Sequence, residues 1–586
     1  MKTAAQLREE LRSIDHKSYP AYKSLKGEYR FTDYVLSIDH VQGDPFAAPS
    51  HVTVRFPMEK AGFPADYYKD RLSRTSLADY LLRQFGNAVA KLSFQARGSG
   101  KSGLIAVSRC GQEILDRSAC CVTEKEICVR FSVGFPARGR TIDAKELDKI
   151  LFELLPKGIP AAFLFQNQQK ERLQAHMELR EDQAALRMFL RENHLAAFVA
   201  DGAVLPRESG VSAKPMKNAV VFKSPETLRV TAELPHKGKI SGMGIPCGVT
   251  LIVGGGYHGK STLLLALQNG VYDHIAGDGR EYVVTDETAL KLRAEDGRFI
   301  KDVDISLFIN HLPNGKDTKC FCTEDASGST SQAAGIVEGA EAGSRLFLLD
   351  EDTSAANFMV RDAFMQRVIA PEKEPITPFL ERVRGLYEQA GISTILVAGS
   401  SGAFFHVADT VIQMDAYQPK DITEEVRGLC GEYPLADTAA ARTGREKAVE
   451  AGIMAAASSH KRVMTKHEES KTRRNYYGDT VARPERMKTK VHGRDGFSLG
   501  HEEVDLKALE QLCDSEQTAA LAYLLKMAYE GMIDRKKTLP EIVEILADRL
   551  AKEGTAVFRE GGYVAGGFAI PRVQEIYGCF NRYRRP

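Results

Sequence analysis

A chain of 586 residues is longer than one hydrophobic core usually holds, so two or three domains are expected. Its 43% hydrophobic and 27% charged residues exclude a disordered polymer, and a net charge of +1 excludes a polycation, so any nucleic-acid surface must be a local patch. No apolar run reaches the about 20 residues that span a bilayer, residues 1–15 carry charge throughout, and ten cysteines are too sparse for a disulfide framework. These readings predict a cytoplasmic chain with free, buried thiols and no membrane domain of its own.

In chain order, Leu7, Leu11 and Ile14 share one helical face. Residues 34–38 and 52–56 alternate as strands do, and residues 166–193 form a long helical segment rich in Glu, Gln, Arg, Leu and Ala. Within this α+β stretch, RGSGKSG at 97–103 contains Gly-Lys-Ser, but Gln95 stands where a phosphate loop needs its first glycine and no good strand leads in. It reads as a basic surface turn. From about residue 201 the pattern changes: Leu228, Val230, Ala232 and Leu234 alternate, Pro235 ends them, and the apolar run 249–253 flows straight into glycines.

Those glycines open GGGYHGKS, residues 254–261, which fits G-x-x-x-x-G-K-[ST] between a strand and a helical pattern. Glycines let backbone N–H groups curl around phosphates, and the helix N-terminus adds positive dipole. Gly254, Gly255, Gly256, Tyr257, His258, Gly259, Lys260, Ser261 and Thr262 are therefore the expected nucleotide-binding residues, with Lys260 reaching the β- and γ-phosphates and Ser261 holding Mg²⁺. Downstream, residues 346–349 are apolar and end in Asp350 and Glu351. A buried strand puts such acids at the sheet edge beside the phosphate loop, Asp350 to orient Mg²⁺ and Glu351 to act as general base on water.

Between loop and acids lies ASGSTSQ, residues 326–332, with Ser327 placed 23 residues before Asp350. Here the chain resembles the ABC ATPases, whose signature is a Ser-Gly turn at a helix N-terminus. The resemblance implies that Ser327, Gly328 and Ser329 of one protomer bind the γ-phosphate held by Lys260 of another, hence a head-to-tail homodimer with two composite ATP sites. Residues 350–357 resemble the acidic strand and D-loop of that class, with Asn357 replacing its final Asp. Two features depart from the class. Gly399 or Ser400 stands where its switch histidine belongs, with His406 several residues late. The Q-loop glutamine is missing: Gln268 lies on the helix after the phosphate loop, and Asn310 is a candidate stand-in.

Longer stretches, among them GDPFAAPS (43–50), LPRESGVS (205–212), GDGRE (277–281), RAEDGR (293–298), DEDTSAANFMVRD (350–362) and EPITPF (374–379), resemble one family of predicted soluble ABC-class ATPases from bacteria and kinetoplastid mitochondria, with an RNA-editing-associated relative. It implies an α/β, ABC-type P-loop NTPase core with a mixed sheet and helical subdomain. An α+β N-terminal domain and a mainly helical C-terminal domain flank that core. The expected divisions are 1–200, 201–435 and 436–586. The resemblance further implies a homodimer whose flanking domains form a basic channel for nucleic acid, RNA first, with no membrane partner.

Residues 451–500 carry eleven Lys/Arg against five Asp/Glu, most of them within 460–494. Lys471, Arg473, Arg474, Arg483 and Arg486 are spaced for phosphate contacts, and Tyr476 and Tyr477 for stacking on unpaired bases. A solvated basic linker is the alternative reading. The expected function is ATP binding and hydrolysis coupled to nucleic acid, against an alternative of an ATP-gated dimerisation module with incidental turnover and a protein partner.

Overall fold

The computed structural model describes residues 1–361, 368, 374–433, 462–464, 472–474, 480–482 and 487–584. They form two compact units: Met1–Glu181 with Arg549–Ile570, and Asp182–Asp548 with Pro571–Pro586.

In the first unit the alternating stretches become the strands Val35–His40 and Ser50–Pro57 of a seven-stranded sheet. Its order is Lys2–Thr3, Gly27–Arg30, Val35–His40, Ser50–Pro57, Glu126–Val133, Ile105–Ala106, and Cys120–Val122 also pairs with Glu126–Val133. All neighbours are antiparallel except the first two strands. The helix Arg71–Leu92 buries Leu77, Leu81, Phe85 and Val89, one face at steps of four. Asp70 caps it, its carboxylate accepting from Ser73 N at 2.8 Å. Helix Ala4–Ser13 buries Leu7 and Leu11. The late segment 549–570 belongs here too: Ser118 N donates to Phe568 O at 2.8 Å, Phe568 N to Ser118 Oγ at 3.0 Å, and Tyr563 Oη lies 3.0 Å from His51 Nδ1. RGSGKSG forms turns with Lys101 exposed and neither strand before nor helix after.

In the second unit the core sheet has six strands in the order Leu290–Lys291, Leu346–Asp350, Ser393–Val397, Val249–Val253, Thr410–Asp415, Gln418–Asp421. The first five run parallel and the last is antiparallel, so the sheet is mixed. Val249–Val253 and Ser393–Val397 are buried at every position, as strands covered on both faces must be, which is why they read as continuous apolar runs. Leu251 is fully buried in this core, and Leu251→Ala is expected to destabilise the unit by about 2–5 kcal/mol, read by denaturant unfolding. An unchanged midpoint would remove this strand from the core.

A second, antiparallel sheet orders Arg229–Leu234, Gly238–Pro246, Leu195–Ala200 and Val283–Thr285, with Leu186 and Leu190 packed into its core. The late part of the chain contributes the helices Ser515–Gly531 and Val573–Asn581 and the three-stranded sheet Thr489–Val491, Gly496–Leu499, Glu502–Asp505. No helix among the described residues is long and apolar enough to cross a membrane.

Candidate active site

Parallel strands deliver their C-terminal ends to one sheet edge. There the chain brings together the loop after Val249–Val253, the acids after Leu346–Leu349, the turn after Ser393–Val397 and the tight turn after Thr410–Asp415.

The phosphate-loop sequence runs from its strand into helix Lys260–Asn269. Gly254 has φ +135, and a Cβ there would lie 2.4 Å from Met414 O, so only glycine fits. Gly259, the helix N-cap, has φ +98. Tyr257 takes φ 64 without being glycine and leaves its ring 99% exposed, a strained placement of the kind that gathers at functional sites. His258 ties the loop down: its Nδ1 accepts from Ala416 N at 3.0 Å, and its carbonyl accepts from Tyr417 N at 3.2 Å. Lys260 Nζ donates to Gly254 O at 2.6 Å and Gly255 O at 3.0 Å. The ammonium is thereby held against the loop's own carbonyls. Ser261 is exposed and Thr262 half-buried on the first helical turn.

Asp350 is half-buried, and its Oδ1 accepts from Asp352 N at 3.2 Å. Burial raises its carboxyl above the usual aspartate value, against the lowering influence of the Asp352 N–H and the Lys291 ammonium. Ser261 and Asp350 offer hard oxygen donors of the kind that would hold Mg²⁺, which would supply charge neutralisation beside a phosphate chain. Among the described residues no cluster of three or more His, Cys, Asp or Glu forms a separate metal site, and none of the ten cysteines is in a disulfide. The expectation of buried thiols holds for Cys120, Cys128 and Cys579 alone: Cys110, Cys121, Cys247, Cys430 and Cys513 are half-buried, and Cys320 and Cys322 are exposed, Cys322 on the strand Phe321–Ala326 and Cys320 just before it.

Glu351 is held from the neighbouring strand's turn. Its Oε2 accepts from Gly399 N at 2.6 Å and Ser400 N at 2.9 Å, and its Oε1 accepts from Ser400 Oγ at 2.7 Å. Burial works to raise this carboxyl, but donors from Ser400, Gly399 and Ser401 outweigh it and leave it below the usual glutamate value. His406 lies in the following turn, Gly402–Val407.

Ser327 caps the helix Gly328–Glu341, its Oγ accepting from Thr330 N at 3.4 Å and lying 2.8 Å from Thr330 Oγ1. Ser327 is exposed, Gly328 half-buried and Ser329 buried. Gln332 on this helix is fastened to the residues after the acids: its Oε1 accepts from Ala355 N and its Nε2 donates to Ser354 Oγ, both at 2.9 Å. Asn357 is exposed on the short helix Ala356–Met359.

Asn310 Nδ2 donates to Ser306 O at 2.6 Å, and its backbone N–H donates to Pro375 O at 2.8 Å. Lys291, which the sequence reading passed over, ends the strand beside Asp350's. Burial pulls its ammonium below the usual lysine value, against Glu510 and Asp350, which favour the charge. A lone lysine in a two-residue strand gives no sequence signal. Arg473 and Arg474 lie on the strand Thr472–Arg474, paired antiparallel with Thr480–Ala482. Lys471, Tyr476, Tyr477, Arg483 and Arg486 lie outside the described residues.

Three family models match successive stretches of the chain: "ATPase of the ABC class N-terminal" over residues 4–166, "ABC_ATPase: P-loop domain" over 169–450, and "MRB1590 C-terminal domain" over 488–586. "Uncharacterized protein MJ1628" of Methanocaldococcus jannaschii is 32% identical over 223 residues, 37% of this chain and 48% of that protein. The chain thus spans about half the length of the curated relative it matches. Among solved structures, MJ1267, described as an ATP-binding cassette of an ABC transporter, aligns at 13% identity and TM-score 0.23 over 33% of this chain and 88% of that one. The structure of cbiO1 from Clostridium perfringens, described as part of an ABC transporter complex, aligns at 14% identity and TM-score 0.25 over 40% and 91%.

Proposed function

Because the chain belongs to the ABC-class ATPases in which a P-loop domain lies between a family N-terminal and a family C-terminal domain, we propose that it binds and hydrolyses ATP with Mg²⁺ in composite sites of a homodimer and couples the cycle to binding of RNA in the cytoplasm. The domain divisions 1–200, 201–435 and 436–586 belong to the same reading. The observation that carries it is the meeting, at one sheet edge, of a glycine-rich loop opening a helix with a carboxylate pair, an arrangement suited to bind anions.

In this reading Lys260 and the loop amides hold the phosphates, while Ser261 and Asp350 hold Mg²⁺. Glu351 takes a proton from the attacking water. Ser327, Gly328 and Ser329 of the partner close over the γ-phosphate. Support for nucleic acid comes from the basic run within 460–494 with its tyrosine pair, and from the family resemblance. RNA-stimulated turnover at low salt, lost as salt rises and absent in Glu351→Gln, is the expected result. Turnover indifferent to structured RNA, single-stranded RNA and DNA alike would sink the coupling.

One observation favours a second reading, an ATP-gated dimerisation module with a protein partner: the base carboxylate is already occupied by donors from Gly399 and Ser400. Ser400 separates the two readings. If it orients the base, Ser400→Ala lowers turnover by about tenfold at unchanged ATP affinity, and Ser400→Thr restores it. Turnover that rises in Ser400→Ala would mean the contact restrains Glu351 and would favour the switch.

A further inference from the structure

The turn Arg293–Arg298, part of a motif with no role in the site so far, touches three elements at once. Toward the acids, Ala294 N donates to Thr353 O at 3.0 Å. Toward the signature turn, Glu295 N donates to Ser331 Oγ at 2.9 Å, Ser331 Oγ donates to Gly328 O at 2.9 Å, and Gly297 N donates to Ala326 O at 2.8 Å. The packing there is close enough that a Cβ on Gly328 would lie 3.3 Å from both Ala294 Cβ and Asp296 Oδ1. Ser327 and Gly328 therefore take their position from this turn.

Toward the chain's last helix, the turn is held by charge. Arg582 grips the Glu295 carboxylate with both arms of its fork, Nε to Oε2 at 3.1 Å and Nη2 to Oε1, and Arg584 Nη2 donates to Gly297 O at 3.2 Å. The pair is largely shielded from water, with side chains 10% and 16% exposed. Arg298 lies 3.9 Å from the same carboxylate and bonds Glu338 on the signature helix. A second arginine repeats the pattern: Arg462 donates to Glu341 Oε2 at 2.6 Å and to Asn581 Oδ1 at 2.7 Å. A buried bidentate pair fixes orientation as well as distance.

We infer that Arg582 is a positioning residue for the signature turn, acting through Glu295, so that the segment matched as the C-terminal domain sets whether Ser327 and Gly328 can complete a partner's ATP site. This rests on the proposed role of Ser327 and Gly328. It adds a route by which a ligand of the C-terminal segment reaches catalysis: a shift of the last helix moves the fork, the fork moves residues 295–297, and those move the signature turn. Neither the phosphate loop nor Glu351 is touched. The route predicts damage to association and turnover without damage to a protomer's own grip on ATP.

The test uses the full chain with Arg582→Met, which keeps the apolar stem, Arg582→Lys, Glu295→Gln and the double variant Arg582→Met/Glu295→Gln. ATP affinity is measured at protein concentrations below association, ATP-dependent association by sedimentation in a Glu351→Gln background, and kcat and KM by phosphate release. The expected result is protomer ATP affinity within about twofold of wild type, kcat and association each weakened about tenfold, partial recovery with Arg582→Lys, and a double variant no worse than either single. Glu295→Gln, isosteric, serves if Arg582→Met does not fold. Folded variants with wild-type association and kcat would overturn the inference. So would a parallel fall of protomer affinity, turnover and thermal stability, the mark of a merely structural role. Wild-type protein with neither association nor turnover would overturn the underlying reading of the site, and the inference with it.

Discussion

Glu351→Gln is expected to lower ATP turnover by about 10²–10⁴-fold while leaving ATP bound. The substitution keeps the side chain's shape, and its surroundings can accept it. The amide oxygen can take the two N–H donors of Gly399 and Ser400 that now meet Oε2, and the amide nitrogen can donate to Ser400 Oγ. What disappears is the lone pair that would take a proton from water. Glu351 takes its hydrogen bonds from Gly399 and Ser400, outside the phosphate loop, so affinity has no reason to fall. The measurement is phosphate release under saturating ATP beside equilibrium binding on the same preparation. Turnover equal to wild type would remove Glu351 from the chemistry.

Lys260→Ala is expected to weaken ATP binding by about 10–100-fold, since a charge-assisted hydrogen bond contributes about 1.5–3 kcal/mol. Its ammonium bonds two carbonyls of the loop itself, at 2.6 and 3.0 Å. Exchange of these for phosphate oxygens replaces neutral acceptors with charged ones, and alanine forfeits that gain. The folded state loses little, because glycine fit at Gly254 and the His258 bonds to the Ala416–Tyr417 turn shape the loop without the lysine. Calorimetric titration with ATP, beside the melting temperature of the free protein, separates the two effects. Wild-type affinity would displace the nucleotide from this loop.

Features written in consecutive residues were legible. The phosphate loop, the acidic strand and the Ser-Gly helix start each occupy a few adjacent positions whose backbone needs are local, and apolar runs such as 249–253 are what a parallel sheet buried on both faces demands. Contacts that join distant residues were not. Ser400 meets Glu351 across 49 residues, and Arg582 meets Glu295 across 287. Neither residue type announces its partner, and only the strand order or the packing of the last helix brings them together. Lys291 was missed for the same reason, since a lysine reads as surface until its neighbours are known.

The first compact unit is discontinuous: residues 1–181 are completed by 549–570. Synthesis therefore separates its two parts in time. At about 5–20 residues per second, the ribosome takes roughly 20–75 s to make the intervening chain. Throughout that interval Ser118 lacks the backbone of Phe568, and His51 lacks Tyr563. The nascent sheet must wait with those groups in water or on a chaperone, and a chain terminated before residue 549 would leave them so for good. Premature termination anywhere in residues 182–548 therefore damages the first unit, although the amino acids of its main sheet are already in place.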